Sequence, residues 1–269
     1  MDQLTEALQA AACGLNERPD LTCETGVVSV VVVGSLARKD FVEGGSDLDL
    51  MFVHTLGDKP NEEIASNAGL QNLIHYFGDP VFDICACTGR QKPFMIDCHF
   101  VDYGLLSEQH HWANPANFLQ EYTKRDTYLW LYAFDFVQNR ICLWGEDPTS
   151  LIKVYSPDVY ITWAAEDKRI KLSAIKNDSA LEQAAEEPLL GRWKLLAGET
   201  LRLLAIRYGS RSLRKAEVYA DFQELAPYFK GKEFAEELWA EYLYGKSCED
   251  RKEWLVRCDE FCQAALSRI

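Results

Sequence analysis

Asp47 and Asp49 stand two residues apart in Gly45-Ser46-Asp47-Leu48-Asp49-Leu50, where a glycine-rich turn gives way to an apolar run. In a strand, side chains i and i+2 leave the same face, so the two carboxylates sit side by side. Like charges so placed repel and raise a pKa unless a cation lies between them. Mg²⁺ is a hard ion that takes carboxylate, water and phosphate oxygens, so the pair makes half of a site for metal ions that also hold a triphosphate. Upstream, an apolar run ends at Gly34-Ser35. Glycine carries no Cβ, so a phosphate can approach its backbone closely. Backbone N–H groups at the start of the next helix would face that anion, and the Ser35 hydroxyl adds a donor. Arg38 and Ser46 flank these motifs and complete the phosphate-binding candidates of this half of the chain.

A third carboxylate is needed to complete a two-metal site or to act as base. Asp97, in Met95-Ile96-Asp97-Cys98-His99-Phe100, lies inside an apolar strand pattern, where an unpaired charge is costly. Asp83, in Phe82-Asp83-Ile84, is the second choice on the same ground. The histidines His54, His75, His99, His110 and His111 show no ligand spacing and are read as non-ligands.

The elements that must position these groups follow from periodicity. Residues 27–33 are a β-branched run, as in a central strand buried on both faces. Residues 47–53 form a second strand, 61–77 a helix stopped at Gly78-Asp79-Pro80, and 81–87 and 94–101 two further strands. Residues 117–138 read as an aromatic-rich helix and 141–144 as a short extended segment. Helical patterns then occupy 159–183, 189–208, 213–229, 231–244 and 249–267. The expected fold is α/β (α+β): a small mixed-sheet domain over residues 1–150, then an all-helical domain over 151–269.

Residues 1–150 carry 9 basic and 22 acidic side chains, while residues 151–269 carry 19 and 20, so most of the net charge of −14 lies in the first part. Such acidity repels polyanions and disfavours a nucleic-acid substrate, and it would draw a small cationic one. No apolar run is long enough to span a bilayer. The nine cysteines include no Cys-x-x-Cys pair, and the first residues lack the basic stretch of a secretion signal. Reduced thiols in a cytoplasm are expected. Cys85 and Cys87 would share a strand face, and Cys258 and Cys262 a helix face, both as small buried hydrophobes.

The pattern Gly-Ser-x-Ala-Arg followed by Gly-Gly-Ser-Asp-Leu-Asp-Leu resembles the nucleotidyltransferase superfamily of DNA polymerase β. The Ile96-Asp97 strand is similar to that of streptomycin-type aminoglycoside adenylyltransferases. In the helical part, Glu199-Thr-Leu-Arg-Leu-Leu, the Gly209-Ser turn and Ser212-Leu-Arg214-Lys215-Ala216 also resemble antibiotic nucleotidyltransferases. The likeness covers residues 25–102 well and 190–225 loosely. It implies that Asp47, Asp49 and Asp97 bind two Mg²⁺ ions bridging the triphosphate of ATP or another NTP. It further implies that Lys215 reaches the phosphates, with Arg214 its rival, because Leu213 and Arg214 interrupt the Ser-Lys pair of that group. An acceptor hydroxyl, deprotonated near Asp97 or by an acid of the helical domain, would attack the α-phosphorus and expel pyrophosphate.

The implied activity is transfer of a nucleoside monophosphate, AMP first, to a small hydroxylated and cationic acceptor such as an aminoglycoside-type antibiotic. Nucleotidylation of a protein target and a non-catalytic nucleotide-binding module are the alternatives. A homodimer that builds its site between domains fits the family. Glu166, Asp167 and Glu199 are acids of the helical part that could face an acceptor.

Overall fold

The structure is a computed structural model that describes residues 2–23, 25–41, 46–57, 61–87, 96–107, 136–151, 157–179, 186–225, 229–244 and 251–269. The chain divides into two compact units, Met1–Val154 and Tyr155–Ile269.

The first unit opens with helix α1 (Asp2–Leu15), followed by the short α2 (Pro19–Thr22). Leu4, Leu8, Ala12 and Leu15 are buried at helical spacing along α1. Strand β1 (Val27–Val32) is the β-branched run, and a single helical turn, α3 (Gly34–Ala37), follows it directly. Strand β2 (Leu48–His54) leads into α4 (Asn61–Ala65) and α5 (Ala68–Cys87). Strand β3 (Ile96–Asp102) is followed by α6 (Tyr103–Ser107), and β4 (Ile141–Gly145) realises the short extended segment.

The four strands form one mixed sheet in the order β3-β2-β1-β4. β1 runs antiparallel to β2 and β4, and β2 runs parallel to β3. A parallel neighbour needs a crossover, which α4 and α5 supply. One face of the sheet presents Val30, Val32, Leu48, Leu50 and Phe52 to Leu4 and Leu8 of α1 and to Leu73, Phe77 and Val81 of α5. The other presents Val31, Val33, Met51, Val53 and Val101 to Leu106 and Phe136.

Two expectations fail in this unit. Residues 81–87 are not a strand but the last turns of α5, with Pro80 inside the helix. Leu70, Leu73, Phe77 and Val81 make one fully buried stripe at helical spacing. Burying such side chains contributes about 1.5–3 kcal/mol each. That outweighs the roughly 3 kcal/mol lost when a proline removes a backbone hydrogen bond within a helix. Asp83 is consequently an exposed helix residue, and Cys85 and Cys87 do not share a strand face. The helix expected over 61–77 is also interrupted. The Leu70 amide donates to Asn67 Oδ1 over 3.1 Å, so Asn67 caps a new helix there. The helix expected over 117–138 lies outside the described residues except for its last turn.

The second unit consists of α7 (Pro157–Ser179), α8 (Glu186–Arg207), α9 (Lys215–Leu225), α10 (Lys232–Tyr244) and α11 (Arg251–Leu266). Helix α8 packs against the other four. Pro188 lies in its first turn, where a missing N–H costs nothing. The core joins Trp193, Leu196 and Leu204 of α8 to Phe222, Phe234, Trp254 and Phe261. Cys258 and Cys262 are fully buried in it, as small apolar side chains.

Among the described residues no helix is long and apolar enough to cross a membrane.

Candidate functional site

Asp49 lies on β2 and Asp97 on β3, directly paired in the parallel register. Both therefore leave the same sheet face at the same level, at the start of their strands. Further along that face Met51, Val53 and Val101 continue as buried core. The carboxylates thus border an apolar floor, with Asp49 the more enclosed of the two.

Asp47 sits just before β2 and is exposed at the residue level. Partial desolvation holds its carboxyl above the usual range, and the charges of Asp49 and then Asp97 push it further up. Asp47 thus feels the charges of the other two acids.

Gly34 closes the other side. Its φ is +67°, and a Cβ built there would lie 2.7 Å from Asp49 Cγ and nearer still to Oδ2. Only glycine leaves room for that carboxylate against the backbone. The Val33 amide donates to the Asp49 carbonyl over 3.1 Å, which fixes the exit of β1 beside β2. Ser35 is buried in the single turn α3. The Arg38 amide donates to the Gly34 carbonyl over 3.1 Å and the Asp40 amide to the Ser35 carbonyl over 3.0 Å. These bonds turn the chain sharply after the sheet. Two carboxylates beside a glycine turn are donors of the kind a hard divalent ion takes, and Asp47 stands two residues before Asp49 in the chain.

His99 was not expected here. Its Nε2 lies 3.4 Å from Asp49 Oδ1 and 3.7 Å from Asp97 Oδ2. Asp49, Asp97 and His99 offer three ligand atoms all within 4.8 Å of one another. The signal was present in the sequence: His99 is i+2 from Asp97, so a strand puts both on one face. Cys98, between them, points to the opposite face among partly buried apolar side chains. Burial, helped by the Asp97 charge, pushes its thiol up to about 12, so it stays protonated.

The remaining candidates are placed as follows. Ser46 is half-buried directly before Asp47. Arg38 is buried, with Nε 3.4 Å from Asp40 Oδ1, so its guanidinium lies against an acid of its own turn. In the second unit Lys215 is a buried residue at the first position of α9. Arg214 is half-buried and pairs with Glu217 at 3.1 Å. Glu199 and Asp167 both pair with the fully buried Lys168, the latter at 3.0 Å. Burial pulls the Lys168 ammonium down, but the Glu199 and Asp167 charges outweigh it and hold the pKa above its ordinary value. These two acids therefore have a partner inside the helical unit.

At the far end of the strands, His54 pairs in register with Asp102. Its Nδ1 accepts from the Leu56 amide over 3.3 Å and lies 3.8 Å from Asp102 Oδ2. Its Nε2 is buried without a hydrogen-bond partner among the described residues. Burial lowers the His54 pKa, and Asp102 opposes this only in part.

No protein-family model matches the chain, and no curated protein matches it either. Among solved structures, the chain is similar to spectinomycin adenyltransferase AAD(9) from Enterococcus faecialis, determined with ATP and spectinomycin. The TM-score is 0.60 and the identity 13%, with 96% of this chain and 98% of that chain covered. The likeness spans both units, and it shows that the chain has the nucleotidyltransferase fold with a helical C-terminal part.

Proposed function

We propose that the protein is an adenylyltransferase that moves AMP from ATP to a hydroxyl of a small, cationic acceptor of the aminocyclitol or aminoglycoside class. The observation that carries this reading is the parallel pairing of Asp49 with Asp97 beside the Gly34 turn. The fold shared with an adenylyltransferase crystallised with ATP and spectinomycin supports both the nucleotide and the acceptor class. The acidity of residues 1–150 favours a cationic acceptor over a polyanion.

Bound Mg²⁺ would neutralise the triphosphate and polarise its α-phosphorus. Asp47, Asp49 and Asp97 would hold it. Gly34 and Ser35 would let the phosphates come close to the backbone, and Ser46 would add a donor for them. Asp97, with 57% of its side chain exposed against 20% for Asp49, is open to an acceptor. It would take the proton of the attacking hydroxyl, which forms a bond to the α-phosphorus as pyrophosphate leaves. Positioning and charge neutralisation supply most of the rate in such transfers.

The test is pyrophosphate release from ATP with spectinomycin, streptomycin and other aminocyclitols as acceptors, in wild type and Asp49→Asn. The reading predicts acceptor-dependent release that falls by more than about 100-fold in the variant. Release with no acceptor dependence, or release unchanged in Asp49→Asn, sinks it.

A further inference from the structure

The Asp47-x-Asp49 and Asp97 set is an all-oxygen site, and His99 adds a nitrogen to it. The imidazole is anchored on β3, two register positions beyond Asp97 and opposite Met51. Its Nε2 is turned to both carboxylates, in a long hydrogen bond of 3.4 Å with Asp49 Oδ1 and 3.7 Å from Asp97 Oδ2. Only 16% of its side chain is exposed, so the ring is held in place by packing. Asp49 is held equally firmly, between the strand register and the Gly34 backbone. Three donors on two fixed strands, with ligand atoms within 4.8 Å of one another, form a face of a coordination sphere. Oxygen donors suit Mg²⁺, whereas an imidazole nitrogen raises affinity for first-row transition ions.

We propose that His99 is a direct nitrogen ligand to the metal ion held by Asp49 and Asp97, and that it shifts the preference of this site from Mg²⁺ toward Mn²⁺. This rests on the metal–nucleotide reading of the same site. His99 binds the ion and leaves the other positions to phosphate oxygens and water.

The experiment uses the full chain, freed of metal, at pH 8, where an ordinary imidazole is neutral. Mg²⁺ and Mn²⁺ affinities are measured by calorimetry in wild type and His99→Asn. Pulsed electron paramagnetic resonance of bound Mn²⁺ reports directly whether a histidine nitrogen is coordinated. The expected result is a nitrogen coupling in wild type that disappears in His99→Asn. Mn²⁺ affinity should fall about ten-fold or more, and Mg²⁺ affinity by less than about three-fold. Bound Mn²⁺ without nitrogen coupling in wild type overturns the proposal, and that result stands even if the variant fails to fold. Equal losses for the two ions overturn it as well. Mg²⁺-dependent ATP binding, measured on the same wild-type sample, separates the two levels. Intact ATP binding without nitrogen coupling removes His99 alone, whereas absence of both metal and ATP binding removes the site with it.

Discussion

The backbone of Gly34 lies so close to the Asp49 carboxylate that a Cβ there would stand 2.7 Å from Asp49 Cγ. Gly34 opens α3 just after β1 while Asp49 lies on β2, and their contact fixes both the turn after β1 and one arm of the acidic cluster. Gly34→Ala must therefore move the carboxylate or the turn, and it also forces alanine into φ +67°. The cost is about 1–3 kcal/mol of stability, read as a lower melting temperature, with loss of metal-dependent ATP binding. Adding Asp49→Ala relieves the collision, so the double variant should melt above Gly34→Ala while still failing to bind. Wild-type ATP binding by Gly34→Ala would contradict this account.

Lys168 is a buried ammonium held by Glu199 and Asp167. Lys168→Met leaves the half-buried Glu199 without its cation, while Asp167 keeps Lys171 at 3.0 Å, and the expected loss is about 3 kcal/mol in chemical denaturation. Lys168→Met with Glu199→Gln should recover part of that loss. If the single variant is as stable as wild type, the cluster does not act as a structural pin.

His54 supplies a pH dependence. Its folded pKa lies below the unfolded value of about 6.5, because burial disfavours the imidazolium. The unfolded chain therefore binds more protons between the two values, and stability falls as pH drops from about 6.5 toward the folded pKa. Urea denaturation between pH 8 and 5 should show this fall, and His54→Gln should flatten it. An unchanged slope in His54→Gln would assign the effect to other groups.

Cys98 makes a chemical prediction. With its thiol pushed up to about 12, it should resist alkylation at pH 8 in the folded protein, while the exposed Cys13 and Cys23 react readily. Peptide mass mapping after brief alkylation reads this directly. Rapid labelling of Cys98 would show that its surroundings are more open than the structure has them.

Much of the acidic cluster was legible because its determinants are local. The β-branched run 27–33 and the Gly34-Ser35 exit each state their own geometry, whereas Asp47, expected on the second strand, lies just before β2. The pairing of Asp49 with Asp97 was not legible in the same way, since register between distant strands is a tertiary property. His99 was passed over because its partners lie on two strands, and only the register brings Asp49 to it. Residues 81–87 misled for a related reason. Gly78-Asp79-Pro80 signals a helix stop, yet the stripe through Phe77 and Val81 is buried against the sheet, and burial overrides the local signal. Glu199 and Asp167 read as free acids until folding placed both on Lys168.

The central claim is that Asp47, Asp49 and Asp97 form a metal–triphosphate site. Calorimetry of ATP binding with and without Mg²⁺, in wild type and in Asp47→Asn/Asp49→Asn, tests it most directly, with folding checked by circular dichroism. The account predicts binding by wild type only when Mg²⁺ is present, and none by the folded double variant. Binding of ATP by the double variant with wild-type affinity, or no binding by well-folded wild type with Mg²⁺, would contradict it.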